Sequence, residues 1–207
     1  MPTITSRQAV ERARSLLRGH RHRVLLGIAG APGAGKSHLA AMIANQVPGC
    51  VVVGMDGFHL AHSVLTQRGE VEDKGAPHTF DAHGYVALLE RLQRGGEQTI
   101  WAPEFRREVE DAIAGAVAVP HDAQLVVTEG NYLLLDEDPW RRVPQLCREV
   151  WFVDPDEQVR LSQLTARHVR HGRSPQAARE RALTGTDGRN AALVLATRHR
   201  ATLRVRG

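Results

Sequence analysis

A short glycine-rich segment that ends in lysine and serine has the residue types and the spacing that bind a polyphosphate. It reads Gly30-Ala31-Pro32-Gly33-Ala34-Gly35-Lys36-Ser37 and matches the P-loop pattern. In such a loop the backbone N–H groups turn towards the phosphates, the lysine reaches the β and γ oxygens, and the serine hydroxyl ligates Mg²⁺. Only two of the 27 lysine and arginine residues are lysines, and one of them is Lys36. We predict that residues 30–37 bind a nucleoside triphosphate, that Lys36 acts in catalysis and that Ser37 holds the metal ion.

A second candidate is an aspartate that follows the second apolar run. Residues 51–53 predict a strand, and Met55-Asp56-Gly57-Phe58-His59 comes just after it. Asp56 would then lie at the carboxyl edge of the sheet beside the P-loop, where a carboxylate can accept the proton of an attacking hydroxyl group. The alternative is that Asp56, standing before Gly57, only forms a turn.

Two histidines, His59 and His62, follow Asp56 closely and could resemble a metal site with it. No further ligand stands at a suitable spacing, so we expect loop histidines that bind substrate or no ligand at all. The whole stretch 54–79 is rich in Gly, Pro and His and is too long and polar for a plain connection, which is typical of a functional loop.

Glu129 ends another apolar run. Four apolar or β-branched residues, 125–128, lead into it, as in the Walker B strand of a P-loop protein. Glu129 would lie near Ser37 and bind Mg²⁺ directly or through water. An exposed carboxylate at a strand end, with no function, is the alternative.

Three arginines, Arg167, Arg170 and Arg173, recur at every third position. In a helix they share one face, and such a face could close over the phosphates as a lid and neutralise charge during phosphoryl transfer. An ordinary solvated basic face is the alternative.

The elements that must position these residues alternate between apolar runs and helical patterns. The predicted strands cover residues 24–29, 51–53, 97–101, 125–128, 150–153 and 203–205. The predicted helices cover residues 6–18, 37–46, 82–94, 156–170 and 175–198. This alternation predicts an α/β fold with a parallel sheet, helices on both of its faces and ligands at the carboxyl ends of the strands. The first helix is expected to be an N-terminal appendage with a solvent-facing, arginine-rich side.

Composition narrows the class of protein. A chain of 207 residues fits one domain with a small lid, and its net charge of +4 suits an anionic ligand better than a long nucleic acid. Cys50 and Cys147 have no metal-site spacing and are expected to be buried free thiols. There is no secretory signal and no apolar stretch long enough to span a membrane, so we expect a cytoplasmic protein.

Two other classes share the P-loop but lack further support. A GTPase-type switch would carry an Asn-Lys-x-Asp guanine motif, which the sequence does not contain. A nucleotide-dependent nucleic-acid-binding protein would interleave basic and aromatic residues, whereas aromatics make up only 4% of this chain. We therefore favour an ATP-dependent phosphotransferase that acts on a small metabolite, with no nucleic-acid or membrane partner and with a regulatory NTPase as the alternative.

With these residues in hand, the chain resembles the phosphoribulokinase/uridine kinase family of P-loop small-molecule kinases. Residues 55–60 with Lys74-Gly75-Ala76-Pro77 look like the corresponding stretch of type I pantothenate kinases. Pro77-His78-Thr79-Phe80-Asp81 is similar to the Pro-x-x-Phe-Asp signature of uridine kinases, and residues 129–135 look like the acidic strand end of the family. The resemblance implies a P-loop NTPase three-layer sandwich with a small helical lid over about residues 165–185.

The resemblance also implies roles for individual residues. Asp56 would be the catalytic base, Lys36 and Ser37 would bind phosphate and Mg²⁺, Glu129 would be the second metal residue, and Arg173 would bring the charge of the lid. The residues implied to bind ATP outside the P-loop are Arg167 and Arg173. The residues implied to bind the acceptor are Asp56, His59, Lys74, His78, Phe80, Asp81, Asn131 and Tyr132. The acceptor would be a hydroxyl compound of the nucleoside, pantothenate or sugar type, and the oligomeric state, a homodimer being one option, stays open.

The chain departs from the family pattern at one point and matches it at another of unknown role. Where the family usually has an aromatic residue followed by Asp-Arg, this chain has Phe105-Arg106-Arg107. Arg106 in place of an acid indicates either a more anionic acceptor or a surface position of no consequence. Asp187-Gly188-Arg189-Asn190-Ala191 matches a segment of uncharacterised members of the family.

Overall fold

A computed structural model describes residues 1–20 and 22–206 of the protein. Its strands, in chain order, are β1 (Thr3–Thr5), β2 (Val24–Ala29), β3 (Cys50–Gly54), β4 (Thr99–Arg106), β5 (Asp111–Pro120), β6 (Leu125–Gly130), β7 (Glu149–Val153) and β8 (Leu203–Arg206). Six of them form a sheet in the order β1-β8-β7-β2-β6-β3, and every neighbouring pair in it is parallel. β4 and β5 form a separate antiparallel hairpin.

Helices connect the strands of the sheet. They are α1 (Ser6–Leu16), α2 (Lys36–Gln46), α3 (His62–Arg68), α4 (Ala82–Arg94), α5 (Val143–Leu146), α6 (Glu157–Arg170), α7 (Pro175–Leu183) and α8 (Thr186–Ala196). Short 3₁₀ turns cover Met55–Phe58, Val71–Asp73, Pro77–Thr79, Trp140–Arg142 and Arg198–Arg200. The predicted α/β class is confirmed.

The register of the sheet brings its chemical residues to one edge. All six residues of β2 are buried, as expected for a central strand that is covered on both faces. Ala29 pairs with Gly130, and Gly54 pairs with Glu129, so β2, β3 and β6 end at the same level. The loops that follow these strands therefore start side by side.

Two apolar cores lie on the two faces of the sheet, which gives the three layers of the fold. One core contains Tyr85 and Leu89 of α4. The other contains Ala9 and Ala13 of α1 together with Ile43 of α2. The N-terminal helix is thus an integral layer of the protein, and the prediction that it is an appendage is wrong. β1 adds to this integration because it extends the sheet by pairing with β8.

The hairpin accounts for a second error of the sequence analysis. Residues 97–101 were expected to form a strand of the parallel sheet, but among the described residues β4 pairs only with β5. β5 escaped prediction because it is rich in alanine and glycine, residues that rarely favour strands. The hairpin carries Trp101, whose side chain is 57% exposed, while Trp140 and Trp151 are buried.

The helical pattern over 175–198 is interrupted in the structure. α7 ends at Leu183 and α8 begins at Thr186. The two helices approach each other closely at Gly188, where an added Cβ atom would lie 2.1 Å from the carbonyl oxygen of Leu183. This contact requires glycine, and the helices therefore meet at an angle that a single continuous helix would not produce.

Two further expectations concern thiols and membranes. Cys50 and Cys147 are free thiols, and both are partly exposed rather than fully buried. Within the described ranges, we find no helix with the length and apolar character needed to cross a membrane.

Candidate active site

The P-loop lies between β2 and α2 and has the backbone geometry that a phosphate cradle requires. Gly33 and Gly35 have positive φ angles of 81° and 92°, which glycine adopts readily. At Gly33 an added Cβ atom would also lie 2.9 Å from the carbonyl oxygen of Arg160. The loop is thus packed closely against α6, and this position accepts no larger residue.

Lys36 is buried at the start of α2 and is held by two acceptors. Its Nζ atom donates to the Ala31 carbonyl oxygen at 3.3 Å and to Asn131 Oδ1 at 2.7 Å. Burial lowers the pKa of the lysine, and the nearby carboxylates of Glu129 and Asp56 partly oppose that shift. Asn131 therefore keeps the ammonium group aimed along the loop, where a phosphate oxygen can replace these partners.

Ser37 and Glu129 meet at the sheet edge as the sequence predicted. Ser37 Oγ donates to Glu129 Oε1 at 2.9 Å. Burial raises the pKa of Glu129, while the charge of Lys36 acts in the opposite direction. Two adjacent hard oxygen ligands next to a phosphate cradle fit Mg²⁺, which usually takes one or two protein ligands and fills its remaining positions with phosphates and water.

Asp56 stands across the edge from the P-loop. It lies in the 3₁₀ turn after β3 and lines the same cavity as Lys36 and Ser37. No described residue hydrogen bonds to its carboxylate, whereas its backbone carbonyl oxygen is 2.8 Å from His59 Nδ1. The carboxylate is therefore open to a ligand.

These residues surround one cavity of about 510 Å³. The predicted site residues that line it are Pro32, Lys36, Ser37, Asp56, His59, Lys74, Phe80, Glu129, Asn131, Arg167 and Arg173. The P-loop, the loop after β3 and α6 with the residues that follow it thus contribute to a single space.

One part of the cavity wall is aromatic and basic. The ring of His59 lies 4.0 Å from that of Phe80 and 4.9 Å from that of Phe105, measured between centroids. Lys74 Nζ lies 5.1 Å above the Phe105 ring and 3.5 Å from Glu110 Oε2, and it donates to the Glu110 carbonyl oxygen. Burial lowers the pKa of His59 and so favours the neutral form of its ring.

Three predicted acceptor residues are not brought to the cavity. His78 is exposed. Asp81 is also exposed, and its carboxylate accepts from the Gly84 N–H group at 2.8 Å as the N-cap of α4. Tyr132 is fully buried behind the cavity wall, where its hydroxyl group donates to the Gly75 carbonyl oxygen. The structure gives the last two residues structural contacts, and their acceptor-binding roles stay predictions.

Comparison with known proteins decides the family. No model of a known protein family matches the chain. The "ATP-dependent kinase-like protein notR'" of Aspergillus versicolor is 33% identical over 145 residues, which are 66% of this chain and 84% of that protein. The "Putative uridine kinase C227.14" of Schizosaccharomyces pombe is 32% identical over 186 residues, which are 85% of this chain and 78% of that protein. The chain belongs to the uridine kinase-like family of P-loop kinases.

Solved structures agree with this assignment. The "putative fructose transport system kinase" of Silicibacter sp. TM1040 is 33% identical and superposes with a TM-score of 0.85 over 97% of this chain and 98% of that one. YFH7 of Saccharomyces cerevisiae, a P-loop protein at 16% identity, shares the fold with a TM-score of 0.85 over 99% of both chains. The predicted enzyme class, a small-molecule kinase that transfers phosphate to an alcohol group, is confirmed, and the named relatives support the use of ATP.

The three arginines that the sequence predicted for a lid differ in their placement. Arg167 is partly buried and Arg173 is exposed, and both line the cavity. Burial lowers the pKa of Arg167. Arg170, which the helical spacing placed on the same face, is exposed at the last position of α6 and does not reach the cavity.

Sequence reasoning missed the residue that supports the P-loop. Arg160 of α6 is only 3% exposed, and its Nη1 atom donates to the Pro32 carbonyl oxygen at 2.7 Å. Its Nε and Nη2 atoms bind the two carboxylate oxygens of Glu157 at 2.7 and 2.6 Å. The helical pattern of α6 gave no signal for this role, since an arginine on such a helix usually faces solvent.

The segment of unknown role at the start of α8 forms hydrogen bonds with the loop over residues 54–79. Asn190 Nδ2 donates to the Gly75 carbonyl oxygen at 2.9 Å, and Thr186 Oγ1 donates to the Glu72 carbonyl oxygen at 2.9 Å. Asp187 Oδ2 lies 2.5 Å from His168 Nε2 of α6. The motif around Asp187 was recognised in the sequence. Its contacts could not be predicted, because they join residues that are far apart in the chain.

Proposed function

We propose that this kinase transfers the γ-phosphate of ATP to a hydroxyl group of a small metabolite, with Asp56 as the base. The observation that carries the proposal is the open carboxylate of Asp56 in the same cavity as Lys36, Ser37 and Glu129. A carboxylate at this place can accept the hydroxyl proton and hold the attacking oxygen in line with the γ-phosphate.

The nucleotide side would work by positioning. The backbone of the P-loop and the Lys36 ammonium group would bind the phosphates, and Asn131 would release Lys36 when a phosphate oxygen arrives. Ser37 and Glu129 would hold Mg²⁺. When bound, that ion neutralises charge on the phosphates and fixes their geometry. Arg160 keeps the loop in place through its hydrogen bond to Pro32.

The acceptor side would orient the hydroxyl group. His59, Phe80 and Phe105 form a wall against which a small molecule can pack, and Lys74 approaches the same wall from the loop. Because no described residue hydrogen bonds to the Asp56 carboxylate, an acceptor hydroxyl can donate to it without displacing such a bond.

A lid over about residues 165–185 would complete the site. Arg167 and Arg173 already line the cavity, and both can neutralise charge on the phosphates during transfer. Closing this segment over the nucleotide would exclude water and so suppress hydrolysis. The acceptor would be of the nucleoside, pantothenate or sugar type, and "uridine" and "fructose" in the names of relatives define the first compounds to test.

The test is a coupled ADP-release assay over nucleosides, pantothenate and sugars with wild-type protein, Asp56→Asn and Asp81→Asn. Asp56→Asn should lower acceptor phosphorylation by about 10²–10⁴-fold and leave MgATP binding near normal. Asp81→Asn is the matched control, because asparagine also caps a helix, and it should keep the activity.

Two outcomes contradict the proposal. If no acceptor raises ATP turnover above the rate in water alone, a regulatory NTPase becomes the better interpretation. If Asp56→Asn abolishes MgATP binding, Asp56 has a structural role. Equal losses in Asp56→Asn and Asp81→Asn would instead support the acceptor role that the Pro-x-x-Phe-Asp resemblance implies.

A further inference from the structure

The part of the cavity lined by Asp56, His59, Lys74 and Phe105 is called the acceptor half below. It contains an arginine whose charge has no protein partner among the described residues. Arg107 lies in the turn between β4 and β5, is exposed and lines the cavity. The centroid of the Phe105 ring lies 6.0 Å from its guanidinium carbon. An arginine presents five N–H donors, so this side chain has its full binding capacity available.

The other charges of this half largely satisfy one another. Lys74 pairs with Glu110 at 3.5 Å. Asp187 pairs with His168 at 2.5 Å and with Arg181 at 3.7 Å. The exposed carboxylate of Glu72 stands at the rim, and Asp56 is assigned to the reacting hydroxyl group. Arg107 is therefore a cation that the protein leaves available.

The neighbouring arginine shows that this placement is specific. Arg106 ends β4 and is exposed like Arg107, but it pairs with Glu104 at 2.6 Å and does not line the cavity. Adjacent residues at the end of a strand point in different directions. The departure from the family pattern at Arg106 thus falls on the surface, and the residue that reaches the site is Arg107.

A second unpaired arginine faces the same space from the lid. Arg167 has no carboxylate partner in the described chain, and the charge of Arg107, after burial, is the next cause that lowers its pKa. Two like charges across one cavity repel each other until an anion lies between them. The charge of Arg107 lowers the pKa of both His59 and Glu129, so Arg107 lies within electrostatic reach of both, and the proposed function already assigns the P-loop, Lys36 and Arg167 to the nucleotide phosphates.

We propose that the acceptor carries an anionic group, a carboxylate or a phosphate ester, in addition to the hydroxyl group that it presents to Asp56, and that Arg107 binds this group. The inference rests on the proposed function and narrows its acceptor to anionic compounds. An arginine can bind a carboxylate or a phosphate with two parallel hydrogen bonds, so it can separate acceptors that differ only in charge.

The experiment measures binding of matched compounds by calorimetry, with the protein saturated by MgADP. The pairs are glycerate and glycerol, pantothenate and panthenol, and fructose 1-phosphate and fructose, which separate carboxylates from phosphate esters. We expect the anionic member of at least one pair to bind at least 10-fold more tightly. Arg107→Gln should weaken that binding by about 10- to 100-fold and change the neutral member by less than about 3-fold.

Arg106→Gln is the matched control and should leave both members unchanged. Equal binding of both members in every pair, or no binding of any anionic member, would overturn the inference. It would also fail if Arg107→Gln weakened both members equally, because Arg107 would then belong to machinery that is common to all acceptors.

Turnover of the same pairs separates this inference from the proposed function. An anionic compound that binds through Arg107 but is never phosphorylated would contradict the kinase reaction at Asp56 and support the anion site. Phosphorylation of neutral members without any preference for charge would support the reaction and overturn the anion site.

Discussion

The two halves of the cavity are built in different ways. The nucleotide half consists of a loop between consecutive elements, β2 and α2, with the ends of neighbouring strands beside it. The acceptor half is assembled from segments far apart in the chain, which meet at the carbonyl oxygens of Lys74 and Gly75. The nucleotide half is built mainly from adjacent elements and receives one support from α6 through Arg160, whereas the acceptor half depends throughout on long-range hydrogen bonds.

The largest effect should come from the centre of the nucleotide half. Lys36→Ala removes the buried cation that faces the phosphates, and kcat should fall by about 10²–10³-fold, measured by ADP release. Lys36→Arg keeps the charge but changes its shape and reach, so it should not restore the rate. A Lys36→Ala protein within 10-fold of wild type would remove the P-loop lysine from the mechanism.

Arg160 tests whether the nucleotide half needs support from outside the loop. Arg160→Ala leaves the Pro32 carbonyl oxygen and Glu157 without their donor, and the free energy of unfolding should fall by about 2–3 kcal/mol. Urea unfolding measures this loss, and MgADP affinity should fall with it. Arg170→Ala, an exposed change on the same helix, is the control. Unchanged MgADP affinity in Arg160→Ala would show that the loop holds its shape unaided.

Asp187 tests the contacts of α8 with α6 and α7 through their pH dependence. Burial alone would raise the pKa of Asp187, but the hydrogen bond from His168 and the charge of Arg181 outweigh burial and lower it. A lowered pKa means that the carboxylate stabilises the folded state above its unfolded pKa of about 3.9 and loses this contribution as pH falls through the folded value.

Asp187→Asn should therefore lower the free energy of unfolding by about 1–2 kcal/mol at pH 7, and the difference from wild type should shrink below about pH 4. Urea unfolding at both pH values measures it. A difference that stays constant with pH would mean that the charge of Asp187 does not matter.

The smallest effect on activity should come from a contact to the loop over residues 54–79. Asn190→Ala removes one of two donors to the Gly75 carbonyl oxygen, a loss of about 1 kcal/mol. The KM for the acceptor should rise a few-fold while the KM for MgATP stays the same. Arg189→Ala, an exposed neighbour, serves as the control. An equal rise in both KM values would show that the halves are not separable.

The same contrast explains what the sequence could predict. Lys36, Ser37, Glu129 and Asp56 follow strands or open a helix, and the parallel arrangement of those strands brings them together without further information. Their positions were predicted correctly, as was the α/β class. Arg160 was missed because its contact to Pro32 joins elements that are distant in the sequence.

The acceptor half was predicted less well for a physical reason. A motif gives the order of residues but not the direction of each side chain in an irregular loop, so Asp81 and Tyr132 were expected at the cavity and lie elsewhere. The alanine-rich β5 has a weak strand signal, and without it the hairpin could not be recognised. The sequence analysis considered Arg106 and not Arg107, because a motif does not show which of two adjacent side chains faces the cavity.

The hairpin carries a tryptophan whose fluorescence can report on this part of the cavity wall. Trp101 is 57% exposed, while Trp140 and Trp151 are 3% and 0% exposed. A water-soluble quencher therefore reaches the emission of Trp101 and leaves the two buried indoles bright. Fluorescence quenching thus follows the hairpin selectively in the natural protein, without an added label, and can distinguish a hairpin that moves when an acceptor arrives from one that stays in place.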